Sequence, residues 1–313
     1  PNFIQNKNIA IIQNQNNIYD NIFNGNTRSE QVKNTDNTQK KTQINNQIKK
    51  DEDISYNEFN GGGYIKNFYG VSRPGSDEDG QQKINQDSLI TLTNINGIKD
   101  FNIFGVLDGH GTGGHHISQF VTNYLPAQIA NNPEIKAQTD TESIYQKLTA
   151  NNYVIIKNAY QLADNYLATT NEIDSERSGT TCVLIIQAGP HIICANAGDS
   201  RALLVYDQNS EPNLNYLRAA PLSTDYKPEI PEESQRIISS GGEVKQLKNS
   251  SGEGCGPYRV FVLGSEYPGL AMSRSIGDLE AKTVGVLPTP GITEHTISSK
   301  TKYIIICSDG VWE

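Results

Sequence analysis

The sequence has few cysteines, lacks a long hydrophobic run and carries no excess of basic residues. Its four cysteines lie 12, 61 and 52 residues apart, so no close pair suggests a zinc site or a redox motif. No apolar stretch approaches the roughly 18–20 residues of a transmembrane helix, and no secretory signal is visible. We therefore expect reduced core thiols, no transmembrane segment, and the cytoplasm or nucleus as the default location.

Acidic residues outnumber basic ones, with 35 Asp and Glu against 26 Lys and Arg and a net charge of −9. A nucleic-acid-binding protein that neutralises phosphates needs a basic face, so this balance argues against nucleic acid as a partner. Acidic clusters that bind a metal ion remain possible. The 313 residues suffice for one large core or two small domains.

Residues 1–60 differ in composition from the rest of the chain, because they contain 15 Asn and 7 Gln and few aromatic residues. Such a segment buries too little apolar surface to offset its ordering entropy. We predict a disordered leader over 1–60 and a folded domain over 61–313. The short apolar run at 9–12 could instead be a docking segment.

From residue 61 onward, short β-branched runs alternate with turn residues, and longer stretches show helical spacing. Helices are predicted at 115–130, 142–168 and 229–240. The predicted strands are 87–93, 101–107, 180–187, 191–196, 201–206 and 302–307. The late strands follow one another through links of hairpin length. This order predicts an α+β fold with a central antiparallel β-sandwich flanked by helices.

Three of the predicted strands lead into a turn in which an Asp stands beside a Gly. These turns hold Asp108 with Gly109, Asp309 with Gly310, and Asp199 after Gly198. Converging carboxylates and backbone carbonyls would form an all-oxygen site, which Mg²⁺ or Mn²⁺ prefers. Asp-Gly pairs are also common turn formers, so composition and spacing alone leave both interpretations open.

Seven motifs, in order, resemble those of the type 2C metal-dependent protein serine/threonine phosphatases, and they cover nearly all of residues 64–313. The motifs are 73–87 (RPGSDEDGQQKINQD), 106–116 (VLDGHGTGGHH), 178–181 (SGTT), 196–202 (NAGDSRA), 222–244 (LSTDYKPEIPEESQRIISSGGEV), 270–278 (LAMSRSIGD) and 307–313 (CSDGVWE). The resemblance implies a sandwich of two antiparallel sheets with helix pairs on its outer faces. It also implies phosphoprotein substrates and a role in signalling, and we expect a monomer.

The resemblance implies a site for two Mg²⁺ or Mn²⁺ ions. Asp108 matches the carboxylate that bridges both ions, Gly109 the carbonyl ligand of the second, and Asp309 a ligand of the first. Asp87 matches an outer ligand of the second ion that acts largely through water. Gln86 occupies the neighbouring place where many members have Glu, and its amide brings no charge.

Two further acids, Asp199 and Asp278, match residues near a third and weaker metal position of the family. His110 matches the general acid, which protonates the leaving serine or threonine oxygen while a hydroxide shared by the two ions attacks phosphorus. His115 and His116 are adjacent on a predicted helix start. Because neighbouring helical side chains diverge, we expect polar helix-opening residues there and no ligands.

Phosphate binding is the least typical part of the motif series. Many family members have an Arg five residues before the Asp87 position, whereas this chain has Gln82 there. Lys83 and Arg73 are the nearby cations, and an ammonium group binds phosphate less directionally than a guanidinium group. Residues 224–270 match the variable flap beside the family's active site, and their Gly, Asn and Ser content favours a loop-like surface excursion.

Two expectations follow from departures from the family pattern. The resemblance ends at 311–313, although family members continue with another Asp-bearing motif, so we expect the sequence to be incomplete at its C-terminus. With Gln82 and Gln86 in place of charged residues, a pseudophosphatase that binds phosphoproteins without turnover is the alternative to an active enzyme.

Overall fold

The structure, a computed structural model, describes residues 7–13, 63–77, 79–208 and 217–312. The strands, in chain order, are β1 (Lys7–Gln13), β2 (Asn67–Arg73), β3 (Ser88–Leu92), β4 (Phe101–Leu107), β5 (Gly109–His110), β6 (Gly179–Thr180), β7 (Cys182–Ala188), β8 (His191–Ala197), β9 (Arg201–Asp207), β10 (Leu217–Pro221), β11 (Gly242–Lys248), β12 (Gly254–Val262), β13 (Pro268–Leu270), β14 (Ile276–Gly277), β15 (Gly291–Thr296) and β16 (Thr301–Cys307). The helices are α1 (Gly114–Ala130), α2 (Pro133–Lys136), α3 (Thr141–Thr169), α4 (Pro231–Ser239), α5 (Leu279–Lys282) and α6 (Asp309–Trp312). A 3-10 turn spans Ile95–Gly97.

Two five-stranded sheets form the centre of the fold. Their strand orders are β10-β9-β16-β1-β2 and β15-β8-β7-β4-β3. The paired strands in both sheets run antiparallel. Apolar side chains from the two sheets meet in one buried core, which includes Phe68, Phe104, Leu204 and Ile304. The sheets therefore form a β-sandwich.

A second core lies on the other face of the β15-β8-β7-β4-β3 sheet, where α1 and α3 cover it. Strand β4 is buried along its whole length because it contributes to both cores. Phe101 and Ile103 face the helical layer, whereas Phe104 and Val106 face the sandwich. This double burial explains why the sequence of β4 is an almost unbroken apolar run.

The predicted α+β class with a central antiparallel sandwich is confirmed. The predicted strand at 101–107 is observed as Phe101–Leu107, and the one at 302–307 as Thr301–Cys307. Among the described residues, the long helices cover one of the two large sheets. None of the helices described is long and apolar enough to cross a bilayer.

The prediction of a disordered leader over 1–60 is wrong for one segment, Lys7–Gln13. These residues form β1, which lies between β2 and β16 inside a large sheet. Residues 9–13 pair with β16 and residues 7–13 pair with β2. Composition missed the strand because its run at 9–12 is short, and a central strand gains hydrogen bonds from two neighbours that the local sequence does not show. Residues 1–6 and 14–60 lie outside the described residues, so disorder there stays a prediction.

Helix α3 was predicted as one continuous helix over 142–168, and the structure interrupts it. Ala150 is extended, with ψ 148°, and the next three residues have positive φ values between 49° and 59°. Asn151 and Asn152 supply two of these three, and Asn tolerates the left-handed region better than most residues. The helix therefore consists of two segments joined at 150–153.

The region 224–270 is more regular than the predicted loop-like excursion. It contains α4 and, with β13, a three-stranded sheet in the order β11-β12-β13. A separate small core, which includes Ile237, Val260, Met272 and Val284, holds this sheet to α4 and to the chain around α5. We call α4 and the sheet β11-β12-β13 the flap unit.

Candidate active site

Asp108 lies directly after β4, where the two large sheets end close together. Its backbone is fixed on both sides by Thr181: the Asp108 N–H donates to Thr181 Oγ1 at 2.9 Å, and the Thr181 N–H donates to the Asp108 carbonyl at 2.9 Å. Burial and the neighbouring carboxylates of Asp87, Asp309 and Asp199 raise the pKa of Asp108 well above its usual value. The structure therefore brings four of the predicted acidic residues together.

Asp87 and Asp309 come to this cluster from different sheets. Asp87 precedes β3 and is buried, and its Oδ2 accepts a hydrogen bond from Ser308 Oγ at 3.1 Å. Ser308 immediately precedes Asp309, which begins α6 after β16. The charge of Asp87 also contributes to the raised pKa of Asp108. The edges of both sheets thus meet at the carboxylates.

Asp199 is partly neutralised by a residue that the sequence interpretation did not single out. Lys227 Nζ donates to Asp199 Oδ2 at 2.6 Å, and both side chains are largely buried. Lys227 lies within the motif at 222–244. A lysine inside one of the motifs was the feature from which a partner for Asp199 could have been predicted. The pair shows that one acid of the cluster has a cation of the protein beside it.

A small three-stranded sheet, β14-β6-β5, holds the next part of the site. In it Gly179 of β6 pairs with His110 on one side and with Gly277 on the other. His110 Nε2 lies 2.7 Å from Asp278 Oδ2, just beyond Gly277. Burial alone would lower the pKa of His110, but the charge and hydrogen bond of Asp278 outweigh it and raise the pKa.

The pKa of Asp278 shifts in the opposite direction to that of His110, as expected for a carboxylate paired with an imidazolium. Burial alone would raise its pKa, but the attraction of His110 and its hydrogen bond lower it below the usual value. The two directions agree on a charged pair inside the protein. Asp278 thus contacts the predicted acid, a relationship that the sequence interpretation missed.

Gly109 and Gln86 shape the turn between Asp108 and α1. A β-carbon at residue 109 would stand 2.5 Å from the backbone oxygens of both Gln86 and Gly114, so only glycine fits. The Gln86 amide donates to the Gly111 carbonyl at 2.8 Å. Gln86 therefore supports the backbone of the turn that carries His110.

A family model described as "Protein phosphatase 2C" matches residues 72–313. The chain belongs to the protein phosphatase 2C (PP2C) family. It is accordingly a protein serine/threonine phosphatase, and phosphoproteins are its substrates.

Curated relatives extend this result over most of the chain. "Probable protein phosphatase 2C 73" of Arabidopsis thaliana is 31% identical over 315 residues, which cover 94% of this chain and 80% of that protein. "Probable protein phosphatase 2C 34" of the same plant is 36% identical, over 75% of this chain and 64% of the relative. "Probable protein phosphatase 2C 12" of Oryza sativa subsp. japonica is 31% identical, over 80% and 73%.

Solved structures support the same fold at lower identity. A serine-threonine phosphatase 2C from Toxoplasma gondii aligns with a TM-score of 0.56 and 20% identity, over 72% of this chain and 78% of that one. A C. elegans sex determining protein aligns with a TM-score of 0.55 and 16% identity, over 83% and 52%. At these identities the likeness concerns the fold alone.

Of the remaining candidate residues of this PP2C chain, Arg73, Lys83 and His116 are exposed and His115 is half-buried. Arg73 ends β2 and is exposed, and Lys83 is exposed in the turn where its N–H donates to the Gly75 carbonyl at 2.8 Å. His115 and His116 lie in the first turn of α1, with ring centroids 3.9 Å apart. The prediction that they open a helix is confirmed, and the phosphate-binding role of Lys83 and Arg73 stays a prediction.

The donor set at Asp108 fits a hard divalent cation by its chemistry. It offers carboxylate oxygens and a backbone carbonyl, and crowded negative charge raises the pKa of its central acid. Among the described residues, no group of three or more His, Cys, Asp or Glu side chains is arranged to hold a metal ion by itself. Mg²⁺ sites commonly use about one or two carboxylates and complete the shell with water, so the two observations are compatible.

Proposed function

We propose that this PP2C phosphatase hydrolyses phosphoserine and phosphothreonine in a reaction that depends on Mg²⁺ or Mn²⁺. The observation that carries the proposal is the half-buried Asp108, whose pKa is raised by desolvation and by the neighbouring carboxylates of Asp87, Asp309 and Asp199. Burying that much negative charge is costly unless a cation compensates it. Oxygen donors select Mg²⁺ or Mn²⁺ over softer metals.

Asp108 and Asp309 would hold two ions, with the Gly109 carbonyl as a further ligand and Asp87 acting from a second layer. When bound, the ions lower the pKa of a water molecule for attack on phosphorus and neutralise charge on the phosphoryl oxygens. The protein itself holds these carboxylates in fixed positions, because Thr181 fixes the Asp108 backbone and Ser308 fixes Asp87. Direct attack by water requires no phosphorylated enzyme residue.

His110 would donate the proton that the leaving serine or threonine oxygen needs. Its Nε2 faces Asp278, which keeps the ring oriented and favours the protonated form. The other ring nitrogen, Nδ1, is buried and has no hydrogen-bond partner within the described residues. A histidine whose pKa is raised suits protonation of an alkoxide leaving group.

Other charged residues would complete the site. Lys83 and Arg73 are proposed to bind the substrate phosphate from the exposed rim. Asp199 and Asp278 were predicted near a third ion. In this structure Lys227 contacts Asp199 and His110 contacts Asp278, so a third ion would compete with these pairs.

The pseudophosphatase alternative was based partly on Gln86. The structure gives this residue another use, since its amide supports the Gly111 carbonyl beside His110. A glutamate there could not donate that hydrogen bond unless protonated. The Gln at this place is therefore compatible with turnover.

Hydrolysis of a phosphopeptide and of an aryl phosphate, measured with Mn²⁺ and then with excess EDTA, tests the proposal. We expect turnover that EDTA abolishes and Mn²⁺ restores. Asp108→Asn should lower kcat by at least about 10³-fold, or roughly 4 kcal/mol. The control is Asp140→Asn. Asp140 is the N-cap of α3 and is not one of the candidate site residues, and Asn is an equally good N-cap. Full activity in EDTA would refute metal dependence.

A further inference from the structure

The turn that carries Asp278 is held by a carboxylate from α3. Asp278 has a left-handed backbone, with φ 52°, and Gly277 before it has φ 88°. The Gly277 N–H donates to Asp164 Oδ1 at 2.9 Å, and this bond is fully buried. The Asp278 N–H donates to the Ser178 carbonyl at 2.9 Å. An unusual backbone conformation is thus fixed by two hydrogen bonds, one of them donated to a buried acid.

The same oxygen of Asp164 also contacts the far end of α5. Lys282 Nζ lies 3.3 Å from Asp164 Oδ1, and the two side chains are only 16% and 9% exposed. Lys282 Nζ also donates to the Ser275 carbonyl at 2.5 Å. Residues 275–282 form a segment that ends with α5. Lys282, its last residue, bonds to Ser275, its first residue, and Asp164 holds the segment against α3.

Charges alternate along this arrangement. Asp164 faces Lys282, the charge of Lys282 also acts on Asp278, and Asp278 faces His110. Burial makes each of these contacts expensive to break, because an unpaired charge would remain inside the protein. A displacement of the segment would consequently move Asp278 relative to His110.

We propose that Asp164 and Lys282 are positioning residues for His110. They hold the segment 275–282 against α3 so that Asp278 Oδ2 stays within hydrogen-bond distance of His110 Nε2. Neither residue touches the reacting atoms. The predicted consequence for turnover rests on the proposed function above, whereas the predicted consequence for His110 itself does not.

The kinetic test compares Asp164→Ala with Tyr160→Phe. Tyr160 lies on the same helix and donates a buried hydrogen bond to the Ala195 carbonyl at 3.0 Å, so its loss is a comparable structural change away from His110. We expect Asp164→Ala to lower kcat on a phosphopeptide at least about tenfold with KM within about twofold, and to affect an aryl phosphate much less. Asp164→Asn should recover part of the loss, since its carbonyl can still accept from Gly277. Tyr160→Phe should leave the ratio of the two substrates unchanged.

A double mutant separates positioning from general destabilisation. In a His110→Ala background, Asp164→Ala should cause no additional loss on the phosphopeptide, because the group that it positions is gone. The proposal would be overturned if the double mutant showed the product of the two single-mutant losses. It would also be overturned if Asp164→Ala alone slowed both substrates equally.

A measurement without turnover distinguishes failure of this inference from failure of the proposed function. The NMR signals of the His110 ring report its hydrogen bond to Asp278, and Asp278→Ala, which removes the acceptor oxygen, provides the reference for losing it. Asp164→Ala and Lys282→Met should both shift the His110 signals towards that reference, whereas Tyr160→Phe should not. Lys282→Met preserves side-chain length, so it carries the test if Asp164→Ala does not fold. If a folded Asp164→Ala or Lys282→Met variant shows the same His110 signals as the wild type, the proposal is wrong. This holds even if the wild-type enzyme is a fully active phosphatase.

Discussion

Gly179 lies directly against the carboxylate of Asp278. A β-carbon at residue 179 would collide with Asp278 Oδ2 and stand 2.9 Å from His110 Nε2. The lack of a side chain at this position therefore allows the hydrogen bond between His110 and Asp278 to form. Gly179→Ala should lower phosphopeptide turnover by about 10²-fold, a typical cost of displacing a catalytic group by an ångström. Steady-state kinetics with Mn²⁺ measure it.

Gly70→Ala is the matched control for that substitution. Gly70 is also a strand glycine, but among the described residues its new β-carbon would meet the ends of two side chains, Leu89 at 3.1 Å and Thr91 at 4.0 Å. It should keep nearly full activity. Normal turnover in Gly179→Ala would mean that the histidine and the acid need not be in contact.

His110→Ala should distinguish substrates by their leaving groups. General acid catalysis contributes about 10²–10⁴-fold, and it matters for a serine alkoxide far more than for an aryl oxide, which leaves without a proton. We therefore expect a large loss on phosphopeptides and a small one on aryl phosphates. Mn²⁺ affinity, measured by calorimetry, should change little. Equal losses on both substrates would remove His110 from the role of proton donor.

Glu233 should be critical for the stability of the flap unit. It is buried in α4 and accepts hydrogen bonds from Arg236 Nη1 at 2.7 Å, Arg274 Nη2 at 2.7 Å and Ser273 Oγ at 2.6 Å. Glu233→Gln leaves two guanidinium groups without their anion, which typically costs about 3–5 kcal/mol. Glu232→Gln, an exposed neighbour, should cost almost nothing. Thermal or urea unfolding measures both variants.

The stability lost in Glu233→Gln should depend on pH in a defined direction. Burial alone would raise the pKa of Glu233, but hydrogen bonds from Arg274, Arg236 and Ser273 lower it to about 2. The folded pKa lies below the unfolded one, so the stabilisation is complete above the unfolded value and disappears as pH falls towards 2. The difference in Tm between wild type and Glu233→Gln should therefore narrow between pH 5 and about pH 2. A constant difference would contradict the assigned cause.

Deleting residues 1–13 should destabilise the protein. Strand β1 pairs with β2 on one side and β16 on the other, so its removal separates the strands of a large sheet. A loss of several kcal/mol corresponds to a fall in Tm of about 10 °C or more for a domain of this size. Differential scanning calorimetry measures it. An unchanged Tm would show that Lys7–Gln13 contributes nothing to stability, as the prediction of a disordered leader over 1–60 implies.

Local sequence patterns predicted the parts of the fold whose burial they record directly. Strand β4 reads as an apolar run because both of its faces are buried, and its bounds were predicted correctly. Asp108 and Asp309 were candidates because each follows such a strand, and the resemblance to the type 2C phosphatases selected them as metal ligands. The helix α1 was also predictable, since its apolar residues repeat at helical spacing.

What the sequence could not predict depends on partners far away in the chain. The residues of β1 gain their place from β2 and β16, neither of which is near in sequence. Asp164 looks like an ordinary polar residue of an amphipathic helix, and Lys282 like an exposed lysine. Only the folded chain shows that they are buried together beside Gly277.

The sheet β14-β6-β5 also has a consequence for the order of events during folding. Its three two-residue strands come from widely separated parts of the chain, and His110 and Asp278 are 168 positions apart. Such short strands cannot persist alone, because loop closure must be offset by contacts made elsewhere. We therefore expect the histidine and its acid to meet only after the sandwich and α3 have formed. A nascent or partly unfolded chain would lack the oriented proton donor, so turnover of phosphopeptides would serve as a direct count of completely folded molecules.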